Sequence, residues 1–177
     1  MEAWVYPTDL AGWKIILNQT ATIPDGFERT FIGALNAEIE FGVNGGSFVD
    51  TNVSLLTNRW QHLALTATGS TIKVFLDGVE VHSTTGYSRV GTAGPAFHLG
   101  GSHVSNEYWV GSIDQVKVWD AALSQADIER SMHTYSSSGI AHSLYAHFDF
   151  NAVTTGLELD ETGNGRHLTL DAGVSSS

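Results

Sequence analysis

The sequence predicts an all-β domain with a single short helix near residues 124–135. Apolar side chains recur at every second position in three successive segments between residues 60 and 83. This period is typical of half-buried strands, in which alternate side chains face the core. A Thr-Gly pair at 68–69 and an Asp-Gly pair at 77–78 separate the segments, and Asp-Gly favours hairpin turns because both residues tolerate positive φ. Residues 60–83 are therefore predicted to form a three-stranded meander.

Shorter runs of the same alternation predict the other strands. They cover residues 2–6, 14–19, 28–35, 38–43, 97–99, 112–119, 144–150 and 168–170. The helix is predicted to begin after Ser124, because its hydroxyl can accept a hydrogen bond from a free backbone N–H of the first turn. Ile128 and Met132 lie four residues apart and therefore share one face of that helix.

Composition restricts the classes of protein and of partner. The 177 residues suit one domain, and the absence of cysteine excludes disulfides and thiolate metal sites. The net charge of −11 predicts a surface that repels phosphates, which argues against nucleic acid and anionic membranes as partners. No segment reaches the roughly 18 apolar residues of a membrane span, so membrane insertion is not expected. Both ends are expected to continue into a longer chain, with residues 175–177 as linker.

Several motifs resemble, in their order and spacing, those of the laminin-G-like family of jelly-roll domains. They are an early strand at 3–7, the central meander at 60–66 and 74–78, and a closing run at 99–102, 111–119 and 122–124. The resemblance covers roughly residues 3–135 of the chain. It implies a concanavalin A-like, two-sheet antiparallel jelly-roll sandwich that is also similar to pentraxins.

The same resemblance implies a function. Such a lectin-type domain would be a non-catalytic, calcium-dependent module for carbohydrate binding, glycoprotein binding or cell adhesion. It would belong to a larger secreted or cell-surface protein, so neighbouring modules of the same polypeptide are expected partners. Because fold alone does not determine function, two alternatives stay open: a structural spacer without a ligand, and a glycoside hydrolase or lyase.

One departure from the family concerns its opening strand and the Gly-rich loop after it. Both are missing before residue 3, and a near copy follows the helix at 144–150 and 160–165. Residues 1–174 are therefore predicted to form one domain in which 144–172 supply that strand and loop. Either the fold is circularly permuted or this segment begins the next tandem module. In both cases the segment would cover an otherwise open sheet edge.

The loop at 160–165 is the candidate calcium site. Calcium prefers about six to eight oxygen ligands from carboxylates and backbone carbonyls. Asp160 offers a carboxylate, Gly163 and Asn164 offer carbonyls, and the resemblance implies that Asp114 lies nearby. The alternative is that Asp160 and Asn164 only stabilise a turn through local side-chain hydrogen bonds.

A rim loop is the candidate sugar site. Glu107, Tyr108 and Trp109 lie between two predicted strands, and loops carry the binding residues in many sandwich folds. An aromatic ring can stack on the apolar face of a sugar, while Asn106 and Glu107 can bond its hydroxyls, with help from Tyr87. The alternative is that Trp109 closes the end of the core. Three other tryptophans are assigned to the core: Trp4, Trp60 and Trp119.

The acidic stretch at 158–161 superficially resembles the carboxylate pattern of jelly-roll glycosidases, in which two acids on one strand flank a sugar bond. The final acid of that pattern is absent, because Thr162 and Gly163 follow. The sequence contains no nucleophile elbow and no paired-histidine zinc motif. It therefore predicts no enzyme activity.

Overall fold

The computed structural model describes residues 1–20, 28–43, 48–87, 97–101, 107–134, 139–151 and 156–169. Within these ranges the chain forms thirteen strands and one helix. In chain order they are β1 (Glu2–Asp9), β2 (Trp13–Thr20), β3 (Glu28–Leu35), β4 (Glu38–Val43), β5 (Val49–Ser54), β6 (Gln61–Thr68), β7 (Thr71–Leu76), β8 (Val79–Thr84), β9 (Phe97–Leu99), β10 (Val110–Trp119), α1 (Gln125–Ser131), β11 (Leu144–Phe148), β12 (Leu157–Glu158) and β13 (Leu168–Thr169).

Two large antiparallel sheets dominate the fold and confirm the predicted jelly-roll sandwich. The six-stranded sheet has the order β11-β10-β1-β6-β7-β8, and the five-stranded sheet has the order β5-β4-β3-β2-β9. Strands β12 and β13 form a separate small hairpin. The outer face of each sheet is the one that points away from the other large sheet. No helix within the described ranges is long and apolar enough to cross a membrane.

The core lies between the two sheets and follows the predicted alternation. Val5, Phe41 and Val74 are among its fully buried side chains. The predicted meander is confirmed, since β6 pairs with β7 and β7 pairs with β8 in antiparallel fashion. At the turn between β7 and β8, Asp77 and Gly78 both have positive φ, 50° and 81°, as an Asp-Gly hairpin requires.

The predicted helix is confirmed and packs on the outer face of the six-stranded sheet. Ser124 caps it by accepting a hydrogen bond of 3.2 Å from the N–H of Asp127. Its buried Ile128 joins a second apolar cluster with Phe75 and Trp119. The helix is shorter than predicted and ends at Ser131.

A buried polar network lies beneath the helix. Glu2 accepts hydrogen bonds through Oε1 from the Trp119 indole, at 3.0 Å, and from the Ser131 hydroxyl. The amino group of Lys117 donates to the carbonyl of Ser131 at 2.6 Å. Glu2, Lys117 and Ser131 are all buried, so these charges contribute to docking the helix only because each has a partner.

The structure contains two strands that the alternation did not predict. Strand β5 (Val49–Ser54) is an edge strand of mixed polarity, and its Asn52 has a φ of 57° that interrupts the period. Strand β12 has only two residues. The predicted strand at 144–150 ends at Phe148, because Phe150 adopts a φ of 53°.

Candidate functional site

The predicted calcium residue Asp160 is the acceptor of a tightly bonded turn. Its Oδ1 accepts hydrogen bonds from the backbone N–H of His147 and of Thr162, both at 3.1 Å, and from the Thr162 hydroxyl at 2.7 Å. Its Oδ2 accepts from the N–H of Arg166 at 3.2 Å. Burial raises the pKa of this carboxyl, but the bonds from Thr162, His147 and Arg166 outweigh it, and the net pKa is lowered. Asp160 is therefore held as a carboxylate by donors of the chain itself.

The same turn covers the outer edge of β11. The N–H of Glu161 donates to the carbonyl of His147 at 2.8 Å. Asn164 and Arg166 both donate to the carbonyl of Tyr145, at 3.2 and 2.9 Å, and the Arg166 guanidinium lies 3.7 Å from the centre of the Tyr145 ring. An uncovered edge strand would expose these backbone groups to pairing with another chain. The turn at 160–166 therefore protects the edge of the six-stranded sheet.

The chain itself supplies hydrogen bonds to the predicted calcium ligand Asp160. Both of its carboxylate oxygens accept such bonds, so a calcium ion there would share them with these donors. Asp114, which the resemblance implied to be a neighbour, accepts a hydrogen bond of 2.7 Å from the N–H of Gln115, and its negative charge adds to the burial that raises the pKa of Glu158. Among the described residues no group of three acidic or histidine side chains could hold a metal ion. Calcium dependence stays a prediction.

The acidic stretch that superficially resembled a glycosidase motif also has local partners. Glu158 is buried, and its Oε1 accepts a hydrogen bond of 2.7 Å from the N–H of Phe150. Burial is the main cause of the raised pKa of Glu158. Its neighbour Asp160 is bonded as described above, and Glu161 is exposed. The two buried carboxyls therefore stabilise the loop around β12.

The predicted sugar residues are not brought together into one site. The N–H of Tyr87 donates to the carbonyl of Ser70. Ser70 lies in the turn between β6 and β7, beyond the end of β1 that carries Glu2. Trp109 precedes Val110, which pairs with Asp9 at the opposite end of β1. The sandwich thus separates Tyr87 from Trp109 along the strand direction, and Asn106 lies outside the described residues.

Within the predicted rim loop, Trp109 is a packing residue and Tyr108 is the exposed aromatic. Trp109 packs against the main core, and its indole donates to the carbonyl of Ser112 at 3.2 Å. Tyr108 is 58% exposed. The carbonyl of Glu107 accepts a hydrogen bond of 3.0 Å from Ile15. The geometry agrees with the alternative in which Trp109 closes the end of the core.

A cleft on the outer face of the six-stranded sheet was missed by the sequence analysis. It has a volume of about 380 Å³ and is named here the tryptophan cleft. It is lined by Trp4, Trp60, Asp114, Gln115, Met132, His133 and Thr134. Trp119 is buried beneath the helix, but Trp60 is 43% exposed and Trp4 only half-buried. The assignment of Trp4 and Trp60 to the core is therefore wrong.

The alternation of side chains along β1 explains why Trp4 lies outside the core. Ala3 and Val5 face the core, so Trp4 shares the outer face with Glu2 and Tyr6. Glu2 has the same phase as Trp4 along β1, and its charge was the sequence signal that could have placed Trp4 outside the core. The size and apolarity of the tryptophan side chains outweighed this signal in the prediction.

Contacts with the protein hold the two aromatic rings of the cleft in place. The Trp4 indole donates to the carbonyl of Met132 at 3.1 Å, and its ring meets the edge of His62 with 5.4 Å between centroids. The Trp60 ring lies against Tyr6 with 5.6 Å between centroids. A ligand that stacks on these rings would meet a largely pre-ordered surface, which reduces the entropy lost on binding.

A β-bulge places two polar side chains at the cleft. Glu2 pairs with Lys117 and Trp4 pairs with Asp114, so Gln115 and Val116 both oppose Ala3. Gln115 adopts a φ of 49°, which is uncommon for a residue other than glycine. Neighbours on a regular strand point to opposite faces, but a bulge re-aims side chains. Asp114 and Gln115 can therefore both line the cleft.

The electrostatics of the cleft are set by these two residues. Burial raises the pKa of Asp114, and the negative charge of Asp149 adds to this effect, while the N–H of Gln115 opposes it. Gln115 Oε1 lies 3.0 Å from His147 Nε2. The cleft thus combines aromatic faces with a carboxyl and an oriented amide, and its volume lies within the roughly 300–1,000 Å³ of small-molecule sites.

The comparison with protein families gives a match over residues 1–129, to the concanavalin A-like lectin/glucanases superfamily. This span is well over half of the 177 residues. No curated protein matches the sequence of the chain.

Solved structures share the fold at low sequence identity. A Bacteroides ovatus protein, provisionally described as carbohydrate-binding, has a TM-score of 0.73 at 18% identity, covering 99% of this chain and 54% of its own. Domain 4 of AbnA, a GH43 extracellular arabinanase from Geobacillus stearothermophilus in complex with arabinotriose, has a TM-score of 0.57 at 23% identity, covering 73% and 64%. The heptameric SAP-like pentraxin of Limulus polyphemus has a TM-score of 0.58 at 16% identity, covering 84% and 78%. The chain thus spans about half the length of the Bacteroides protein.

Proposed function

The chain belongs to the concanavalin A-like lectin/glucanase superfamily, and from this premise we propose that it is a non-catalytic carbohydrate-binding module whose ligand occupies the tryptophan cleft. The observation that carries the proposal is the cleft itself. Its exposed Trp60 and half-buried Trp4 lie beside the polar groups of Asp114 and Gln115. Sugar recognition needs this combination, because a sugar has an apolar ring face and a rim of hydroxyls.

The wider biological role is proposed from the relatives. The AbnA domain belongs to an extracellular enzyme and is in complex with arabinotriose, which supports a carbohydrate ligand and a secreted or cell-surface location for this chain. Because the chain spans about half of the Bacteroides protein, we place it within a longer polypeptide whose neighbouring modules are its partners. A role in adhesion to glycoproteins would follow from the same binding activity.

No step of the proposed binding uses calcium. The described polar groups of the cleft can bond sugar hydroxyls directly, with Asp114 as acceptor and the Gln115 amide as donor. A calcium requirement is a separate proposal that rests on the family resemblance.

The test is a pair of matched aromatic substitutions, assayed against a panel of neutral oligosaccharides by calorimetry. Trp60→Ala should weaken binding of the best oligosaccharide by about tenfold, which is about 1.4 kcal/mol. Tyr108→Ala is the matched control, because Tyr108 is also exposed but lies away from the cleft. Both variants should keep the melting temperature of the parent.

Three results would contradict the proposal. Binding that survives Trp60→Ala and is lost in Tyr108→Ala would move the site to the rim loop. The absence of binding to any oligosaccharide would favour a structural spacer. Release of reducing ends from a polysaccharide, if abolished by Glu158→Gln or Glu161→Gln, would instead identify an enzyme.

A further inference from the structure

A second cavity lies at the β11 edge of the six-stranded sheet. It has a volume of about 820 Å³ and is named here the edge cavity. Its lining comes from the segment 140–144, from His147 and Asp149, and from the turn at 161–164 that covers β11. The volume lies within the roughly 300–1,000 Å³ of small-molecule sites, so the edge cavity is large enough for a ligand.

The edge cavity and the tryptophan cleft lie on the same face of the same sheet. In β11 the side chains that face the core are Ala146 and Phe148, so His147 points to the outer face. The strands β1, β10 and β11, which carry Trp4, Gln115 and His147, are neighbours in the sheet. The two cavities therefore follow one another across the strands.

A contact between two side chains joins the cavities. Gln115 lines the tryptophan cleft, His147 lines the edge cavity, and Gln115 Oε1 lies 3.0 Å from His147 Nε2. Burial is the main cause that lowers the pKa of His147, and the charge of Lys117 adds to it, while Asp149 and Asp160 oppose it. The imidazole is therefore neutral at neutral pH and can donate Nε2–H to the amide oxygen. The linings of the two cavities meet at this pair.

The acidic groups of the two cavities are close enough to influence one another. Burial raises the pKa of Asp114, in the tryptophan cleft, and the N–H of Gln115 opposes this effect. The negative charge of Asp149, in the edge cavity, adds to the burial effect. Because both cavities carry carboxyls on a chain with a net charge of −11, an acidic glycan would be repelled and a neutral one fits better.

The two cavities differ in the part of a sugar that they can recognise. The tryptophan cleft offers the aromatic faces of Trp4 and Trp60, which suit the apolar face of a sugar ring. The described lining of the edge cavity contains no Phe, Tyr or Trp and offers polar groups instead, among them those of His142, Glu161 and Asn164. Such groups can bond sugar hydroxyls, which both donate and accept. A chain that stacks on the tryptophans could place its next units among these polar groups.

We propose that the edge cavity is a second subsite of the carbohydrate site, and that the two cavities together bind a linear, neutral oligosaccharide that runs across β6, β1, β10 and β11. The inference rests on the proposed function, because it takes the ligand of the tryptophan cleft to be a carbohydrate. Neighbouring strands lie about 4.8 Å apart, so the path over three spacings is roughly 14 Å, which is longer than one sugar ring. The module would then prefer a polysaccharide chain to a single terminal sugar.

The test is the dependence of affinity on chain length, measured by calorimetry. The probes are cello-oligosaccharides and arabino-oligosaccharides, two neutral and linear series, from the disaccharide to the hexasaccharide. In the series that binds, affinity should rise at least about tenfold from the disaccharide to the tetrasaccharide, because the longer chain reaches the edge cavity. It should then level off, because both cavities are filled.

Variants of each cavity assign this rise. The double variant His142→Ala with Glu161→Ala should abolish the rise without changing the affinity for the disaccharide, because both side chains line the edge cavity. His98→Ala is the matched control and should keep the rise, since His98 is exposed on β9 of the other sheet. Trp60→Ala should weaken binding at every length, because it removes part of the first subsite. If the double variant fails to fold, Glu161→Gln, at an exposed position, should weaken the longer oligomers and leave the disaccharide unchanged.

Failure of this proposal differs from failure of the proposed function. Equal affinity for the disaccharide and the tetrasaccharide would overturn the edge-cavity subsite and leave the tryptophan cleft as the site. The same follows from a rise that survives in the edge-cavity variants, or from a rise that His98→Ala also loses. The absence of binding at every length, or binding that Trp60→Ala does not weaken, would contradict the proposed function and this proposal with it.

Discussion

The outer faces of the two sheets carry charged groups in opposite circumstances. Beneath the helix, Glu2 is bonded to Trp119 and Ser131, and Lys117 donates to the carbonyls of the helix end. On the five-stranded sheet, burial raises the pKa of Glu40, and the negative charges of Asp50 and Glu38 add to this effect. The first set of charges is used to dock one part of the chain on another. The second set consists of like charges that repel one another, so the loss of one charge should have opposite effects on the two faces.

The largest effect on the free energy of unfolding is expected from a pair of variants that each remove one glutamate charge, one on the outer face of each sheet. Glu2→Gln should lower the free energy of unfolding by about 3 kcal/mol, because it leaves the buried Lys117 without its counter-charge. Glu40→Gln should leave it unchanged or raise it, because a repulsion is removed. Urea unfolding of both variants measures this difference, and equal losses in the two would mean that the faces do not differ.

A pH titration tests the buried groups on the outer face of the six-stranded sheet, which the helix covers. His62 is buried, and burial, with smaller contributions from Lys117, His133 and the amino terminus, lowers its pKa from 6.5 to about 3. Its Nε2 lies 3.5 Å from Glu2 Oε2, but at neutral pH the contact is not an ion pair, because the imidazole is uncharged.

In the unfolded chain His62 binds a proton below its ordinary pKa, whereas in the folded chain it does not until about pH 3. Stability is therefore lost as pH falls through this window, by on the order of 3 kcal/mol between about pH 6.5 and about pH 4. His62→Gln should flatten that slope in urea unfolding measured across the pH range. His98→Gln, at an exposed histidine, should keep it. A parallel slope in both variants would mean that His62 titrates normally.

A smaller effect is expected at the edge of β11. Asp160→Ala should lower the free energy of unfolding by about 2 kcal/mol, because it leaves the buried N–H of His147 without an acceptor. Glu161→Ala is the control, since only its backbone takes part in covering the edge. No change in Asp160→Ala would contradict the edge-protecting role of this turn.

The same variant tests the calcium proposal. If calcium binds at Asp160, calcium should raise the melting temperature of the parent by mass action, and Asp160→Ala should remove that shift. Equal melting curves in calcium and in chelator would leave Asp160 with its structural role alone.

The candidate sites were harder to predict than the fold. An aromatic residue in a strand predicts a packed position, and Trp119 meets this expectation, but Trp60 is exposed. The difference depends on how far the helix extends over the outer face of its sheet, which local periodicity does not encode. The alternation Glu-Ile-Glu-Phe at residues 38–41 did predict β4.

The sequence by itself determined the strands, the meander turn and the helix start. Each depends on contacts between residues close in the chain: alternation selects the buried face, Asp77-Gly78 selects the turn and Ser124 caps the helix. Only the tertiary structure decided which outer positions stay accessible. The helix buries Glu2 and leaves Trp60 open, and the bulge at Gln115 turns two neighbouring side chains to one cleft. These outcomes depend on how distant segments pack, because a strand specifies two faces but not what covers each of them.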